Sequence, residues 1–87
     1  MSWTTEYSNR SLKDARLLKQ AGLLKGAESI LDILRGNPFQ NPPPYEKLGG
    51  QLKGYYSRRI NKQHRLVYEV DKVTKTVFVA RMWSHYE

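Results

Sequence analysis

Apolar residues in the first half of the chain recur with the period of an α-helix. Leu12, Ala15 and Leu18 lie three residues apart with charged side chains between them, and this spacing predicts an amphipathic helix. Three residues suited to its N-terminal cap precede it: Ser8, Asn9 and Ser11. Gly22 is a natural end for this helix, because glycine readily adopts the left-handed backbone that closes one.

A second helix is predicted directly after the first. Four apolar residues occupy positions i, i+3, i+4 and i+7 and form one stripe: Ala27, Ile30, Leu31 and Leu34. Gly36 and Pro38 follow, in the order that is typical of a helix C-terminus. Because only a short connector separates the two helices, we expect them to form an antiparallel hairpin.

The rest of the pattern favours β-strands. A short strand is predicted over Trp3–Tyr7, ahead of the helices. The segment Asn41–Tyr45 is a semi-rigid connector, because proline fixes φ and lacks the N–H donor. Three strands with short polar turns are predicted after it: Leu52–Ile60, His64–Val70 and Thr76–Trp83. The order β-α-α-β-β-β predicts an α+β sandwich, with both helices on one face of an antiparallel sheet.

The strand that begins at His64 has two faces, which alternation assigns. Leu66 and Val70 are predicted to meet the helices. Arg65 then emerges on the helix-free face, which an antiparallel sheet can leave open to a ligand. An ion pair between Arg65 and Glu69, two residues along the same face, is the alternative. His64 lies on the side opposite to Arg65 and is expected to be structural.

Length and composition narrow the class of protein. The 87 residues suit one domain, residues 1–87, with one core. Without cysteine the chain forms neither a disulfide nor a thiolate zinc site, and with only two histidines no metal and no cofactor are expected. No apolar run approaches the ~18 residues of a membrane span, and the N-terminus lacks the apolar core of a signal peptide. We therefore expect a cytosolic protein without membrane contact.

The charge of the chain predicts an anionic partner. There are 15 Lys and Arg against 8 Asp and Glu, a net charge of +7, which suits nucleic acid. The densest basic stretch runs from Lys47 to Arg65 and contains no carboxylate. Tyr55 and Tyr56 lie within it, and aromatic faces can stack unpaired bases. A solvated strand face that only keeps the protein soluble is the alternative.

Three residues could together cleave RNA without a metal ion. The reaction needs a base for the 2′-hydroxyl, a cation for the phosphate and an acid for the leaving oxygen. Glu46, Arg65 and His85 are the candidates for these roles, in that order. Each has a simpler interpretation: a surface carboxylate, an ion-pair partner and a solvated histidine near the C-terminus.

Five short segments together resemble the YoeB/Txe family of bacterial toxin–antitoxin systems. They are Asn37-Pro38-Phe39, Tyr45-Glu46-Lys47-Leu48, Gly54-Tyr55-Tyr56-Ser57-Arg58-Arg59-Ile60, His64-Arg65-Leu66-Val67-Tyr68 and His85-Tyr86. The similarity extends from Trp3 to Tyr86. The family belongs to the RelE-like toxins, and the resemblance therefore implies the β-α-α-β-β-β sandwich that the pattern also predicts.

The resemblance implies a ribosome-dependent mRNA endonuclease. Such an enzyme cuts mRNA in the ribosomal A site, beside 16S rRNA, and inhibits translation. By position in the motifs, Glu46 corresponds to the general base, Arg65 to the residue that stabilises the phosphate, and His85 to the general acid. Arg59 corresponds to an auxiliary basic residue and Tyr86 to an aromatic that helps to position the substrate. The implied products carry a 2′,3′-cyclic phosphate, or the 3′-phosphate from its opening, and a 5′-hydroxyl.

One segment departs from the family pattern. Family members often carry basic residues directly after the leucine that corresponds to Leu48, where this chain has Gly49-Gly50. The glycines are expected to weaken contacts to RNA or the ribosome at that point. Lys47 and Lys53 are the candidates for replacing those contacts, and both are predicted to bind substrate.

The resemblance also implies a protein partner. This is a co-produced antitoxin whose C-terminal segment folds on the toxin and masks its site, and an acidic, apolar segment would complement the charge of +7. Homodimers are known in the family, and the residues leave the oligomeric state of this chain open. Two other functions remain alternatives: a non-catalytic module that blocks translation by occupying RNA or ribosome, and, more weakly, a DNA-binding repressor.

Overall fold

A computed structural model describes residues 3–83 of the chain. This part contains two α-helices and five strands, in the order β1 (Thr4–Tyr7), α1 (Asn9–Gln20), α2 (Leu24–Gly36), β2 (Glu46–Lys47), β3 (Tyr55–Arg59), β4 (Arg65–Asp71) and β5 (Thr76–Arg81). A single 3₁₀ turn, Gly50–Leu52, precedes β3. The predicted α+β class and the order of the longer elements are confirmed, and β2 is an additional strand.

The two predicted helices are present, follow each other through a short connector and contact one another. Ser8 is the N-cap of α1, and its Oγ accepts a hydrogen bond of 3.0 Å from the Ser11 amide, which satisfies one of the free donors at a helix start. Gly22, in the connector, has φ +75°, a left-handed conformation that suits glycine. Within the described residues 3–83, neither helix is long and apolar enough to cross a membrane.

The sheet is mixed rather than wholly antiparallel. Its strand order is β1-β5-β4-β3-β2, and β1 pairs in parallel with β5 while the other neighbours are antiparallel. Short turns force β3, β4 and β5 to alternate in direction. Both helices lie in the chain between β1 and the β3–β4–β5 meander. This long connection lets the chain return so that β5 lies beside β1 and runs in the same direction.

The core lies between the helices and one face of the sheet. Leu18 of α1, Leu34 of α2 and Leu66 and Tyr68 of β4 are fully buried there. Val70 is half-buried against the same cluster. The predicted alternation at the start of β4 is therefore confirmed: Leu66 faces the helices, and Arg65 emerges on the helix-free face.

Candidate active site

Glu46 and Arg65 meet on the helix-free face of the sheet. β2 and β4 flank β3 on its two sides, with Glu46 opposite Ser57 and Arg65 opposite Arg59. Arg65 Nη1 reaches across β3, donating to Glu46 Oε1 and, over 3.2 Å, to Ser57 Oγ. The alternative pairing of Arg65 with Glu69 is wrong, because the carboxylate bound to Arg65 is that of Glu46.

The two members of this ion pair differ in exposure. The Glu46 side chain is 63% exposed and that of Arg65 only 19%. The carboxylate is therefore presented to solvent, whereas the guanidinium is held in place below it. A guanidinium carries five N–H donors, so Arg65 can bind the carboxylate and still offer N–H groups to a second anion.

A recess of about 300 Å³ opens at this pair. It is lined by Pro44, Glu46, Ser57, Arg59 and Arg65. Two guanidinium groups, one carboxylate and one hydroxyl thus face one small space. Arginine forks match the oxygen pairs of a phosphate, and a carboxylate beside them can accept a proton. The recess accordingly has the donors and the acceptor that a phosphodiester reaction uses.

The other predicted substrate contacts lie outside this recess. Lys47 follows Glu46 in β2 and lies opposite Tyr56, and it is exposed. Lys53 is exposed at the end of the 3₁₀ turn. Gly50 begins that turn with φ +61°, a conformation in which a basic side chain would be strained. The roles of Lys47 and Lys53 in substrate binding stay predictions.

His85 and Tyr86 lie outside the described residues, but the strand that leads to them is anchored at its end. Asp14 Oδ2 accepts hydrogen bonds from Arg81 Nε at 2.9 Å and from the Met82 amide at 3.0 Å. The His64 ring stacks on Trp83 with centroids 4.0 Å apart, and its Nδ1 donates to the Trp83 carbonyl. The structural role expected for His64 is confirmed.

Arg58 is a structural residue that sequence reasoning placed within the basic stretch without a role of its own. It is 1% exposed and points into the protein. Its guanidinium donates to four oxygens: Tyr68 Oη (3.1 Å) and the carbonyls of Pro43 (2.7 Å), Pro38 (3.0 Å) and Gln40 (2.8 Å). The position of Arg58 opposite Leu66 is a signal that Arg58 is buried, because alternation assigns Leu66 to the core face.

Arg58 also lies among aromatic rings. Its Cζ is 5.0 Å from the centroid of Tyr45, a cation–π distance. Four rings pack edge-to-face or stacked in this region: Phe39, Tyr45, Tyr56 and Tyr68. Since Tyr45 directly precedes Glu46, the buried guanidinium fixes the loop that delivers the catalytic candidate to β2.

The fold, two helices on one face of a mixed five-stranded sheet, defines a class, the RelE-like toxins. YoeB of Staphylococcus aureus, solved as a dimer, shares this fold with TM-score 0.82 and 31% identity, over 99% of this chain and all of that one. The YoeB–YefM complex from the same organism gives TM-score 0.78 and 32% identity, over 99% of this chain and 100% of that chain.

Sequence comparison identifies the family. The model of the YoeB-like toxin of bacterial type II toxin–antitoxin systems matches residues 5–86. Toxin YoeB of Synechocystis sp. is 37% identical over 70 residues, which are 80% of this chain and 73% of that relative. The chain belongs to the YoeB toxin family, and the predicted family membership is confirmed.

Proposed function

We propose that this toxin is a ribosome-dependent mRNA endonuclease that inhibits translation and acts without a metal ion. The observation that carries the proposal is the recess in which Glu46, Arg59 and Arg65 meet on the open face of the sheet. Base and phosphate-binding groups are already in contact there. A metal is not required for either task when side chains fill both roles.

The proposed reaction begins with the 2′-hydroxyl of the mRNA. Glu46 takes its proton as the O2′–P bond forms, and the P–O5′ bond breaks as His85 gives a proton to the leaving O5′. The products are a 2′,3′-cyclic phosphate and a 5′-hydroxyl. Arg65 and Arg59 hold the phosphate and stabilise the charge that builds on its oxygens. Exchange with water then returns Glu46 and His85 to their starting protonation states.

The ion pair between Glu46 and Arg65 has a consequence for this mechanism. In the free protein Arg65 donates to the carboxylate. A substrate phosphate attracts the same guanidinium, and any donor that turns to the phosphate frees a lone pair of Glu46 for the proton. The substrate thereby helps to release its own base. Lysine at position 65 would lack the fork that allows both contacts.

The proposed partners are an antitoxin, 16S rRNA in the A site and the mRNA bound there. The YoeB of Staphylococcus aureus forms a complex with YefM, and a related antitoxin segment is the partner we propose for this chain. That YoeB has also been solved as a dimer, and a homodimer is proposed on the same ground. The site of action would be the bacterial cytoplasm, where ribosomes are.

Cleavage on translating ribosomes tests the proposal. Purified protein is added to translating ribosomes with a reporter mRNA, and the new 5′ ends are mapped. We expect cuts within the A-site codon. Glu46→Gln removes the base at nearly constant volume and should slow cleavage by about 10²–10⁴-fold. Glu28→Gln, an exposed change on α2 with the same effect on net charge, is the control and should cleave like the wild type.

The same experiment separates the enzyme from a module that blocks by occupancy. If Glu46→Gln inhibits translation as strongly as the wild type while mRNA stays intact with both, catalysis is excluded and occupancy is favoured. His85→Ala is measured alongside, because loss of the acid should slow the step that breaks the P–O5′ bond. Unchanged cleavage by either variant would refute its assigned role.

A further inference from the structure

Ser57 places a buried hydroxyl at the floor of the recess. It belongs to β3, where it lies opposite Glu46 of β2 and diagonal to Arg65 of β4, and diagonal neighbours are within reach of a long side chain. Only 1% of Ser57 is exposed, against 63% of the Glu46 side chain and 19% of the Arg65 side chain. The hydroxyl therefore lies below the level at which the two charged side chains meet solvent.

The guanidinium of Arg65 is held by one of its nitrogens. Nη1 donates to Glu46 Oε1 and, over 3.2 Å, to Ser57 Oγ. Because Nη1 carries two hydrogens, it can serve both acceptors at once. Among residues 3–83, no group accepts a hydrogen bond from Nε or Nη2. These two nitrogens form one edge of the guanidinium, with the parallel N–H groups that match two oxygens of a phosphate.

The stability of the sheet does not account for the Ser57 hydroxyl. Burial of a hydroxyl costs free energy unless hydrogen bonds compensate it. Within the described part of the chain, the one hydrogen bond of this side chain is the bond that it accepts from Arg65. Alanine would fill nearly the same space without that cost. The hydroxyl is therefore explained by its effect on Arg65 rather than by packing.

That effect concerns the way in which Arg65 and Glu46 pair. An arginine and a carboxylate frequently form a bidentate pair, with two parallel N–H···O bonds. Here a single nitrogen of Arg65 binds a single oxygen of Glu46. Ser57 Oγ takes the second hydrogen of that nitrogen, which prevents the guanidinium from turning its free edge towards the carboxylate.

We infer that Ser57 is a positioning residue that keeps the Arg65 guanidinium from closing on Glu46 and so reserves the Nε–Nη2 edge for a phosphate of RNA. Without the hydroxyl, the base and the phosphate-binding group would pair with each other, and both would lose their function together. The identification of the phosphate as that of mRNA rests on the proposed function. The division of the Arg65 donors between Glu46 and Ser57 does not.

A double-mutant cycle with Glu46 tests the inference without any cleavage. The probe is a fluorescein-labelled 2′-O-methyl RNA trinucleotide, which has no 2′-hydroxyl to attack, and binding is followed by anisotropy. Ser57→Ala is measured in the wild type and in Glu46→Gln, because glutamine has no charge that attracts the guanidinium. The control is Ser29→Ala on α2, an exposed residue whose hydroxyl donates to the Lys25 carbonyl of its own helix.

In the wild type, Ser57→Ala should weaken trinucleotide binding about tenfold, since a hydrogen bond that orients a charged group is lost. In Glu46→Gln the same substitution should weaken binding by less than about twofold, which makes the two positions coupled. Ser57→Thr keeps the hydroxyl and suits a strand, so it should bind more tightly than Ser57→Ala. An equal loss in both backgrounds would indicate a general packing defect and would overturn the inference. So would unchanged binding by Ser57→Ala in the wild type.

Cleavage on translating ribosomes separates this inference from the proposed function. If Ser57 and Glu46 are coupled in binding but ribosomal mRNA stays intact, the role of Ser57 stands and the nuclease is contradicted. If mRNA is cut within the A-site codon but the cycle shows no coupling, the nuclease stands and the role of Ser57 is wrong. Where both proposals hold, Ser57→Ala should slow cleavage by at least about tenfold, while Ser29→Ala cleaves like the wild type.

Discussion

Two adjacent arginines show how far one residue's role depends on the face it occupies. Arg58 and Arg59 follow each other in β3, yet the first is buried and the second lines the recess. No carboxylate among residues 3–83 pairs with Arg58, and its charge is stabilised by the Tyr45 ring, the Tyr68 hydroxyl and three carbonyls of the proline-rich loop, residues 38–43. The loop suits this task, because proline supplies an acceptor and no competing donor.

Replacing Arg58 by lysine should destabilise the protein strongly. One ammonium cannot reproduce a fork that reaches four oxygens, and buried acceptors are left unpaired. We expect a loss of about 2–4 kcal/mol in the free energy of unfolding, measured in urea. The control is Arg59→Lys on the exposed side of the same strand, which should change that free energy by no more than about 0.5 kcal/mol. Equal losses would show that Arg58 does not hold the loop.

Tyr68 makes the stability of the fold sensitive to alkaline pH. Burial raises the pKa of its phenol above the ordinary value of 10.0, and the nearby Arg58 guanidinium opposes part of that rise. Because the folded-state pKa is raised, the protonated phenol favours the folded state. Its contribution is complete below pH 10.0 and is lost as pH climbs towards the raised pKa.

Urea unfolding at pH 8 and pH 11 measures this effect. The wild type should lose more stability between the two pH values than Tyr68→Phe, which has no proton to release. The two proteins are compared only by how much the free energy of unfolding changes between the two pH values. The substitution also removes the hydrogen bonds with Arg58 Nε and the Pro38 carbonyl, which lowers the stability at both. Identical pH dependence in both proteins would rule out a raised phenol pKa.

At the scale of elements, one buried carboxylate joins the first helix to the last strand. Asp14 of α1 accepts from the side chain of Arg81 and from the backbone of Met82. The contact fixes the position of Arg81 and Met82, where β5 ends. A carboxylate that accepts two directed hydrogen bonds in a nearly dry place positions its partners more tightly than apolar packing does.

Loss of this carboxylate should be costly. In Asp14→Ala the buried Met82 amide loses its acceptor, and we expect the free energy of unfolding to fall by about 2–3 kcal/mol. Asp32→Ala provides the comparison, because Asp32 forms an exposed ion pair with Arg35 and such pairs contribute less than about 1 kcal/mol. Thermal or urea unfolding of both variants measures the difference, and a ranking in the reverse order would contradict the role of Asp14.

The elements differ in how far the sequence could predict them. The helices and the β3–β4–β5 meander follow from periodicity and short turns, which are local signals. β2 has only two residues, which are too few to show the alternation of polar and apolar side chains that predicts a strand. The parallel pairing of β1 with β5 joins residues about 70 positions apart, such as Glu6 and Phe78, and leaves no mark in the local pattern.

For the whole molecule, the basic residues behind the net charge of +7 lie in different surroundings. Arg58 is buried, Arg59 and Arg65 line the recess, and the basic residues of α1 form a surface on the far side. Composition predicts the total charge of the chain and an anionic partner. The motifs singled out Glu46 and Arg65 as site candidates. Their direct contact could not be predicted, because it depends on both β2 and β4 pairing with β3.

The position of β1 has a consequence for the order in which the protein can assemble during its own synthesis. β1 is the first strand to be made, and its only neighbour in the described sheet, β5, is the last. Arg81, which donates to Asp14 at the end of β5, is also translated late. The apolar stripe of the helices therefore becomes fully covered only after β5 has been translated. A fold of this topology is therefore complete only after β5 has been made. The residues that line the recess lie between Pro44 and Arg65, so all of them have been made before β5.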